Sequence, residues 1–351
     1  MALLAGVVGC PAPGGPVAPT PRRRPTIARV TGEQPGLVRL SGVGPIRGFA
    51  RDRDCTFMHC LELVLAAVGR PIDYDELMGL SGVAFRLQFR AERWDVGNPD
   101  PLVGASCLDV LFPAIGLEYD LRIVRRDQLK QARALREAIV RSIDREMPVL
   151  AANIMPPEDW GIITGYRRQG HEWLCRSYNG GAEREDRPAT GWPTAVLMIE
   201  SRRPRPSPRE AHVASIRRAI EAFETRSNGL YATGRNAFEH WRQMLGAADK
   251  PDYIHPNAWT YIGLIDARRA AVRYLRSIAG EFGVKRRHIL RAADLYGQET
   301  RLLTHGLKDV PSARQVSGAM PPAAVRARQI TTLLKAMKLE EQAIDALKKT
   351  R

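Results

Sequence analysis

The stretch SRRPRPSPR at residues 201–209 divides the chain into two parts that must fold differently. It holds three prolines and four arginines in nine residues. Proline fixes φ and lacks an amide donor, so such a stretch cannot lie inside a helix or a central strand. We therefore predict a linker at 204–209, with one folded unit before it and another after it.

The part before the linker has the pattern of an α+β domain. Apolar residues recur at helical spacing after Asp54, and two further helices are predicted at 73–80 and 134–147. Strand patterns are found at 116–124, 149–155, 160–167, 171–178 and 195–201. Helices followed by a mostly antiparallel sheet define an α+β fold, which we place at 45–203.

The part after the linker, 210–351, is predicted to be all helical. Its apolar residues repeat every three or four positions, as in Ile330, Leu333, Leu334 and Met337. Such stripes are typical of the core of a helical bundle. We therefore predict an α+β domain followed by an all-α helical domain.

The first 44 residues are rich in proline and arginine, and this composition predicts a disordered leader. The opening MALLAGVVGC resembles a lipoprotein processing box at Cys10. No basic residue precedes its short apolar run, which argues against lipid anchoring. No stretch reaches the ~18 uninterrupted apolar residues of a membrane helix. These features lead us to expect a cytoplasmic protein without integral membrane association.

Cysteine and histidine spacing gives no sign of a metal site. The five cysteines are scattered and no CxxC occurs, which argues against a disulfide scaffold or a zinc knuckle. No His-x-x-x-His or Glu-x-x-His pair occurs either. We expect neither a metal nor a cofactor.

Positive charge is concentrated in the helical part. Residues 1–205 hold 28 basic and 24 acidic residues, whereas 206–351 hold 25 basic and 14 acidic ones. A basic half attracts polyanions, although an arginine-rich composition alone also explains the excess. The segment 281–297 resembles a helix-turn-helix only faintly, so we do not expect a nucleic-acid partner. An acidic protein is the partner we consider for this half.

Cys55 is the residue that most suggests chemistry. It follows Asp54, a good N-cap, so we place it in the first turn of an apolar helix. The helix dipole and free backbone N–H groups there lower a thiol pKa. The alternative is a buried, inert cysteine, and the neighbouring Asp54 carboxylate opposes a lowered pKa.

Residues 55–89 resemble the N-terminal-domain family of butirosin biosynthesis protein H. The cysteine that opens an apolar helix is followed there by Gly79-Leu80-Ser81-Gly82 and Ala84-Phe85. The stretch 148–178, with Gly161 through Tyr166, resembles the second signature of that family. It is also similar to the Gly-Tyr strand of double-glycine-type bacteriocin-processing cysteine peptidases. Together these motifs cover about residues 50–200.

This resemblance implies a papain-like fold and chemistry at Cys55. The named member transfers an acyl group from a carrier-protein thioester to an amine, and the peptidases cleave peptides. Carried over to this chain, Cys55 is the nucleophile and Asn179, near Ser177 and Tyr178, is the orienting residue. The histidine position is occupied by Asp159, which cannot replace an imidazole base at neutral pH. His59, one helical turn after Cys55, is a conceivable substitute.

We predict a binding cleft lined by the Gly79–Phe85 loop and by the strand at 156–166. The predicted binding residues are Asp54, Ser81, Gly82, Phe85, Glu158, Trp160 and Tyr166. Two hypotheses follow. The chain is a thiol-dependent acyltransferase or amidase-like enzyme that acts on carrier-bound acyl groups or a small amine. Alternatively, it is a catalytically inactive papain-like module that binds a ligand or a protein.

Overall fold

The computed structural model describes residues 28–31, 36–47, 52–90, 92–123, 127–156, 159–179, 181–311 and 321–350. Cys10 and Glu158, both named above, lie outside these ranges. Part of the predicted leader forms the first two strands. In the second of them Val38 and Leu40 are buried while Arg39 between them is exposed, as a strand with one buried face requires.

The described part of the chain contains eleven strands and nine α-helices. The strands are β1 (Ala28–Thr31), β2 (Val38–Ser41), β3 (Gln88–Arg90), β4 (Leu117–Arg122), β5 (Val149–Ala152), β6 (Trp160–Arg167), β7 (Glu172–Arg176), β8 (Arg187–Pro188), β9 (Ala195–Arg202), β10 (Ser227–Asn228) and β11 (Tyr231–Thr233). The helices are α1 (Thr56–Ala67), α2 (Tyr74–Leu80), α3 (Leu108–Ile115), α4 (Leu129–Asp144), α5 (Pro208–Glu224), α6 (Gly234–Ala247), α7 (Ile254–Ile278), α8 (Arg286–Gly306) and α9 (Ala323–Lys348).

An antiparallel sheet forms the centre of the first part. Its strand order is β1-β2-β6-β5-β9-β4, with β7 and then β8 added beyond β6. Helix α1 packs on β6 and β5 through side chains such as Phe57, whose ring lies edge-on to that of Trp160 at 5.0 Å between centroids. The α+β prediction is confirmed, and from α6 onward the chain is helical.

A three-stranded sheet joins the two parts and corrects the prediction that only helices follow residue 209. Strand β11 pairs with both β10 and β3, so 231–233 hydrogen-bond with 88–90. The turn between β10 and β11 is Gly229-Leu230, where Gly229 adopts φ +57°. The dipeptide Asn228-Gly229 is a strong hairpin signal that the helical pattern on either side obscured.

The predicted linker is short because α5 begins inside it. Strand β9 extends to Arg202 and helix α5 begins at Pro208, so 203–207 form the irregular connection. Ser207 caps the helix in a reciprocal capping box with Glu210. Proline is favoured at the first helical position because the amide donor it lacks has no partner there.

The two parts share one hydrophobic core. A single cluster of buried side chains includes Leu61 of α1, Leu77 of α2, Ile216 of α5, Leu275 of α7 and Leu347 of α9. The helical part packs directly against α2, mainly through α7 and also through α5, and α2 in turn packs against α1. None of the described helices is both long and apolar enough to span a membrane.

A buried arginine fastens the helical bundle to the first part. Arg268 of α7 is fully buried and forms ion pairs with Glu299 of α8, at 3.3 Å, and Glu340 of α9, at 2.6 Å. It also donates a hydrogen bond to the carbonyl oxygen of Ala84, at 2.9 Å. This contact fixes the segment that precedes β3, which contributes to the candidate site.

Candidate functional site

Cys55 is the N-cap of helix α1, which corrects the prediction that Asp54 takes this position. Cys55 has extended backbone angles, φ −79° and ψ 93°, and Thr56 is the first helical residue. The Cys55 amide donates a hydrogen bond to the hydroxyl oxygen of Tyr74, at 3.0 Å. The Tyr74 hydroxyl in turn donates to Asp266 of α7. The cysteine therefore lies immediately before the helix, where the two parts of the chain meet.

A small cavity of about 40 Å³ lies beside Cys55. Its walls include Arg86 and Asn98 from the first part and Thr260 from α7. The Asn98 side chain donates a hydrogen bond to the Thr260 hydroxyl, at 3.2 Å. A cavity of this size holds a few water molecules, whereas ligand pockets usually measure ~300 to 1,000 Å³.

The surroundings of Cys55 favour a neutral thiol. Cys55 is partly exposed, yet desolvation by the surrounding protein raises the pKa of its thiol well above the ordinary value. The nearby carboxylates of Asp266 and Asp100 raise it further. A hydrogen bond from the Met58 backbone lowers the pKa, but its effect is smaller than that of desolvation. A thiol in such a place is a poor nucleophile at neutral pH because the thiolate is the reactive form.

Asp159 lies just before β6 and is bound to the beginning of α1. One of its carboxylate oxygens accepts hydrogen bonds from the Thr56 hydroxyl and from the Trp160 amide, the latter at 2.8 Å. Burial raises the pKa of Asp159 to about 7, and the Asp100 carboxylate contributes to the rise. The residue at the expected histidine position is thus a nearly buried carboxyl group directed at Thr56.

Histidines do not supply a base for Cys55. All seven lie in the described ranges, and none forms a hydrogen bond with the Cys55 sulfur. His59, the candidate on the same helix, has both ring nitrogens engaged: Nδ1 contacts Glu62 at 2.9 Å and Nε2 accepts from the Arg47 amide at 3.1 Å. The residue is 2% exposed, and both of its ring nitrogens have partners other than Cys55.

The other predicted site residues lie in several places. Trp160 donates from Nε1 to Asp100, at 3.1 Å, near the mouth of α1. Phe85 is fully buried, with its ring 5.7 Å from that of Tyr296. Tyr166 lies at the far end of β6, where its hydroxyl donates to Asp144.

Asn179 and Asp54 lie in loops. The Asn179 carbonyl accepts a hydrogen bond from the Ala182 amide, at 3.2 Å, in the loop after β7. The Asp54 amide donates to Asp266, at 3.3 Å, and Asp54 also lines the small cavity. Of the predicted set, Asp54, Cys55, Asp159 and Trp160 therefore gather around the beginning of α1.

Ser81 and Gly82 line a second and much larger pocket of about 420 Å³. Helix α5 forms its opposite wall, together with the loop before α3 and strand β10. Arg86 and Val83 line this pocket and the small cavity alike, so the segment 83–86 separates the two spaces.

Three residues that shape this region were not predicted from the sequence. Asp266, Arg86 and Asp100 are respectively 212, 32 and 46 positions away from Asp54 in the chain. Asp266 carried a usable signal, since a carboxylate four residues after Ile262 falls on the apolar stripe of α7. Arg86 and Asp100 lie outside any periodic pattern and gave none. In the described part of the chain, no group of three or more histidine, cysteine or acidic side chains is arranged to hold a metal ion.

A scan against models of known protein families and a search of curated proteins found no match to this chain. The resemblance to the butirosin protein H family thus depends on the quoted motifs alone, and its implications for function remain proposals.

Proposed function

We propose that this chain is a non-catalytic ligand-binding protein built on an α+β scaffold of papain-like type. The observation that carries the proposal is the space beside Cys55, about 40 Å³, which is far smaller than the ~300 to 1,000 Å³ of a usual ligand pocket. The raised pKa of the Cys55 thiol points the same way. Asp159, the residue at the expected histidine position, also supports the proposal, because its carboxylate accepts a hydrogen bond from Thr56 at the beginning of α1.

The larger pocket supplies a place for the ligand. At about 420 Å³ it falls in the usual range for small-molecule sites. It is formed where α5 lies against 81–86, so it exists only because the helical part is packed on the first part. A binding role thus explains why the two parts share one core, which a free-standing catalytic domain would not need.

An acyl-transfer test separates this proposal from the thiol-enzyme hypothesis. The full chain and its Cys55→Ser variant are incubated with the acetyl thioester of N-acetylcysteamine, and intact mass is measured. In an acyltransferase the Cys55 thiolate would attack the thioester carbonyl, expel N-acetylcysteamine as its thiolate and retain the acetyl group. We expect no acetyl adduct at Cys55. An adduct that is absent from the variant and is released by an added amine would overturn the proposal.

An acidic protein partner has one structural support in the helical part. Arg286, Arg287 and Arg291 are exposed at the beginning of α8, and no ion pair joins them to any described carboxylate. Val284, beside them, is 90% exposed. We propose this surface as the contact for an acidic carrier protein.

Binding of the full chain to such a protein should weaken steeply with salt and should be lost in an Arg286→Gln, Arg287→Gln double variant. Salt-insensitive binding would contradict it.

A further inference from the structure

The pocket of about 420 Å³ has an unusual charge balance for a partly enclosed space. Two arginines, Arg86 and Arg218, line it, and Glu221 is the one acidic residue among its lining residues. Glu221 lies at the exposed rim, whereas both arginines are partly buried. The residues that line the pocket therefore carry one more positive charge than negative charge.

Arg218 is held in place without its guanidinium being used. The residue lies on α5, and its aliphatic chain packs over Gly82 so closely that a Cβ at position 82 would lie 2.7 Å from Arg218 Cγ. Gly82 has φ +80°, a conformation that favours glycine. No hydrogen bond or ion pair joins the Arg218 guanidinium to another residue in the described part of the chain. An arginine whose aliphatic chain is packed and whose planar guanidinium has no partner among the described residues is suited to bidentate binding of an oxyanion.

Arg86 forms the inner end of the pocket. Its guanidinium donates hydrogen bonds to backbone carbonyl oxygens, including those of Asp100 at 2.5 Å and Ala105 at 2.8 Å. Among the described residues it forms no ion pair with a carboxylate. Backbone carbonyl groups orient the Arg86 guanidinium, and the nearby Asp100 carboxylate offsets part of its charge. Arg86 therefore supports the positive potential of the pocket, and Arg218 is its main source.

The influence of both arginines reaches the pocket wall. Cys107 lines the pocket, and although burial raises its pKa to about 12, the charges of Arg86 and Arg218 act to lower it. Both guanidinium groups therefore lie near enough to this wall to act on the same point. Hydroxyl and amide groups of Thr225, Ser227 and Asn228 border the opening and can donate further hydrogen bonds.

We propose that this pocket binds a small molecule through an anionic oxygen group, a carboxylate or a phosphate, which pairs with Arg218. The inference rests on the proposed binding function and adds the chemical class of the ligand. The volume admits a small organic acid or a phosphate ester and excludes a folded protein.

Titrations of two simple anions test the assignment. Inorganic phosphate and succinate are added separately to the full chain, against sodium chloride at matched ionic strength, and binding is measured by thermal shift and calorimetry. We expect one of the two to bind saturably, and the anion that binds identifies the group. In Arg218→Gln the affinity should fall at least about tenfold. Arg218→Lys keeps the charge and the stem, so it should lose less.

Arg217→Gln is the matched control, since Arg217 is exposed on the same helix and does not line the pocket. It should bind like the wild type. Circular dichroism checks that each variant is folded. Absence of saturable binding by either anion, or equal affinity in Arg218→Gln and wild type, would overturn the inference. Either result is distinct from an acetyl adduct at Cys55, which would overturn the proposed function alone.

Discussion

Asp159 accepts a hydrogen bond from the hydroxyl of Thr56, the first residue of helix α1. A carboxyl group therefore occupies the position where the family resemblance implies an imidazole. Its partner Thr56 is the residue that follows the candidate nucleophile Cys55. The carboxyl group ties the sheet to the helix, a structural use of a position that papain-like enzymes devote to chemistry. The free energy of unfolding should therefore depend on pH through the protonation of Asp159.

Burial raises the pKa values of Asp159 and Asp266 to about 7, above the ~4 of an unfolded chain. Both groups thus bind a proton more tightly in the folded state. Their contribution to stability is complete below the unfolded pKa and is lost as pH rises to the folded value. The free energy of unfolding should fall between pH 4 and 7, by at most about 4 kcal/mol per carboxyl group.

Asp159→Asn should remove one of these contributions, because an asparagine oxygen can still accept from Thr56 and Trp160 without ionising. Urea unfolding at pH 4.5, 6 and 8 measures the change, which should appear as a shallower decline in stability. Asp249→Asn, at an exposed position, is the control and should leave the decline unchanged. An unaltered decline in Asp159→Asn would show that Asp159 does not take up a proton on folding.

The contact between α2 and α7 should tolerate no added methyl group at Gly79. A Cβ there would lie 2.1 Å from Cγ of the buried Tyr274 ring. Gly79→Ala should lower the free energy of unfolding by ~1–3 kcal/mol or more, since overpacking forces side chains or backbone to move. Gly246→Ala, on α6 with no atom within 4 Å of the added Cβ, should raise it by ~0.5–1 kcal/mol. Thermal and chemical unfolding of both variants provides the comparison; equal effects would place α2 and α7 further apart.

Arg268 should be far more sensitive to replacement than its neighbour Arg269. Arg268→Met leaves Glu299 and Glu340 buried without their counter-ion, which should cost ~3–5 kcal/mol. Arg269→Met removes a half-exposed ion pair with Asp52 and should cost no more than ~1 kcal/mol. Equilibrium unfolding in urea measures both. Similar losses in the two variants would contradict a buried triad.

Sequence periodicity predicted the elements that extend over several turns or alternate clearly. Strand β6 was expected at 160–167 and occupies those residues, and the apolar stripe from Ile330 to Met337 lies within α9. Helix α4 begins at Leu129, five residues before its predicted start, because its first turn is polar. The short strands β3 and β11 were missed, since three residues carry no measurable alternation.

The site was less predictable because its parts meet only in three dimensions. The position of Cys55 before an apolar helix was visible in the sequence. The packing of α7 against α2, which brings Asp266 to Tyr74, depends on long-range contacts that a period of 3.6 residues cannot specify. Periodicity identifies a buried face but not the partner of that face. The Arg218 guanidinium, which has no hydrogen-bond or ion-pair partner among the described residues, was hidden for the same reason.

The pH dependence of Cys55 alkylation tests the central claim most directly. The full chain is treated with iodoacetamide between pH 6 and 10, and modified peptides are quantified by mass spectrometry, with the buried Cys60 as internal reference. We predict that Cys55, although partly exposed, reacts slowly at neutral pH and that its rate still rises beyond pH 9, without a plateau, as a thiol with a raised pKa requires. A Cys55 rate that reaches its plateau below pH 8, well ahead of Cys60, would reveal an activated thiolate and contradict the non-catalytic account.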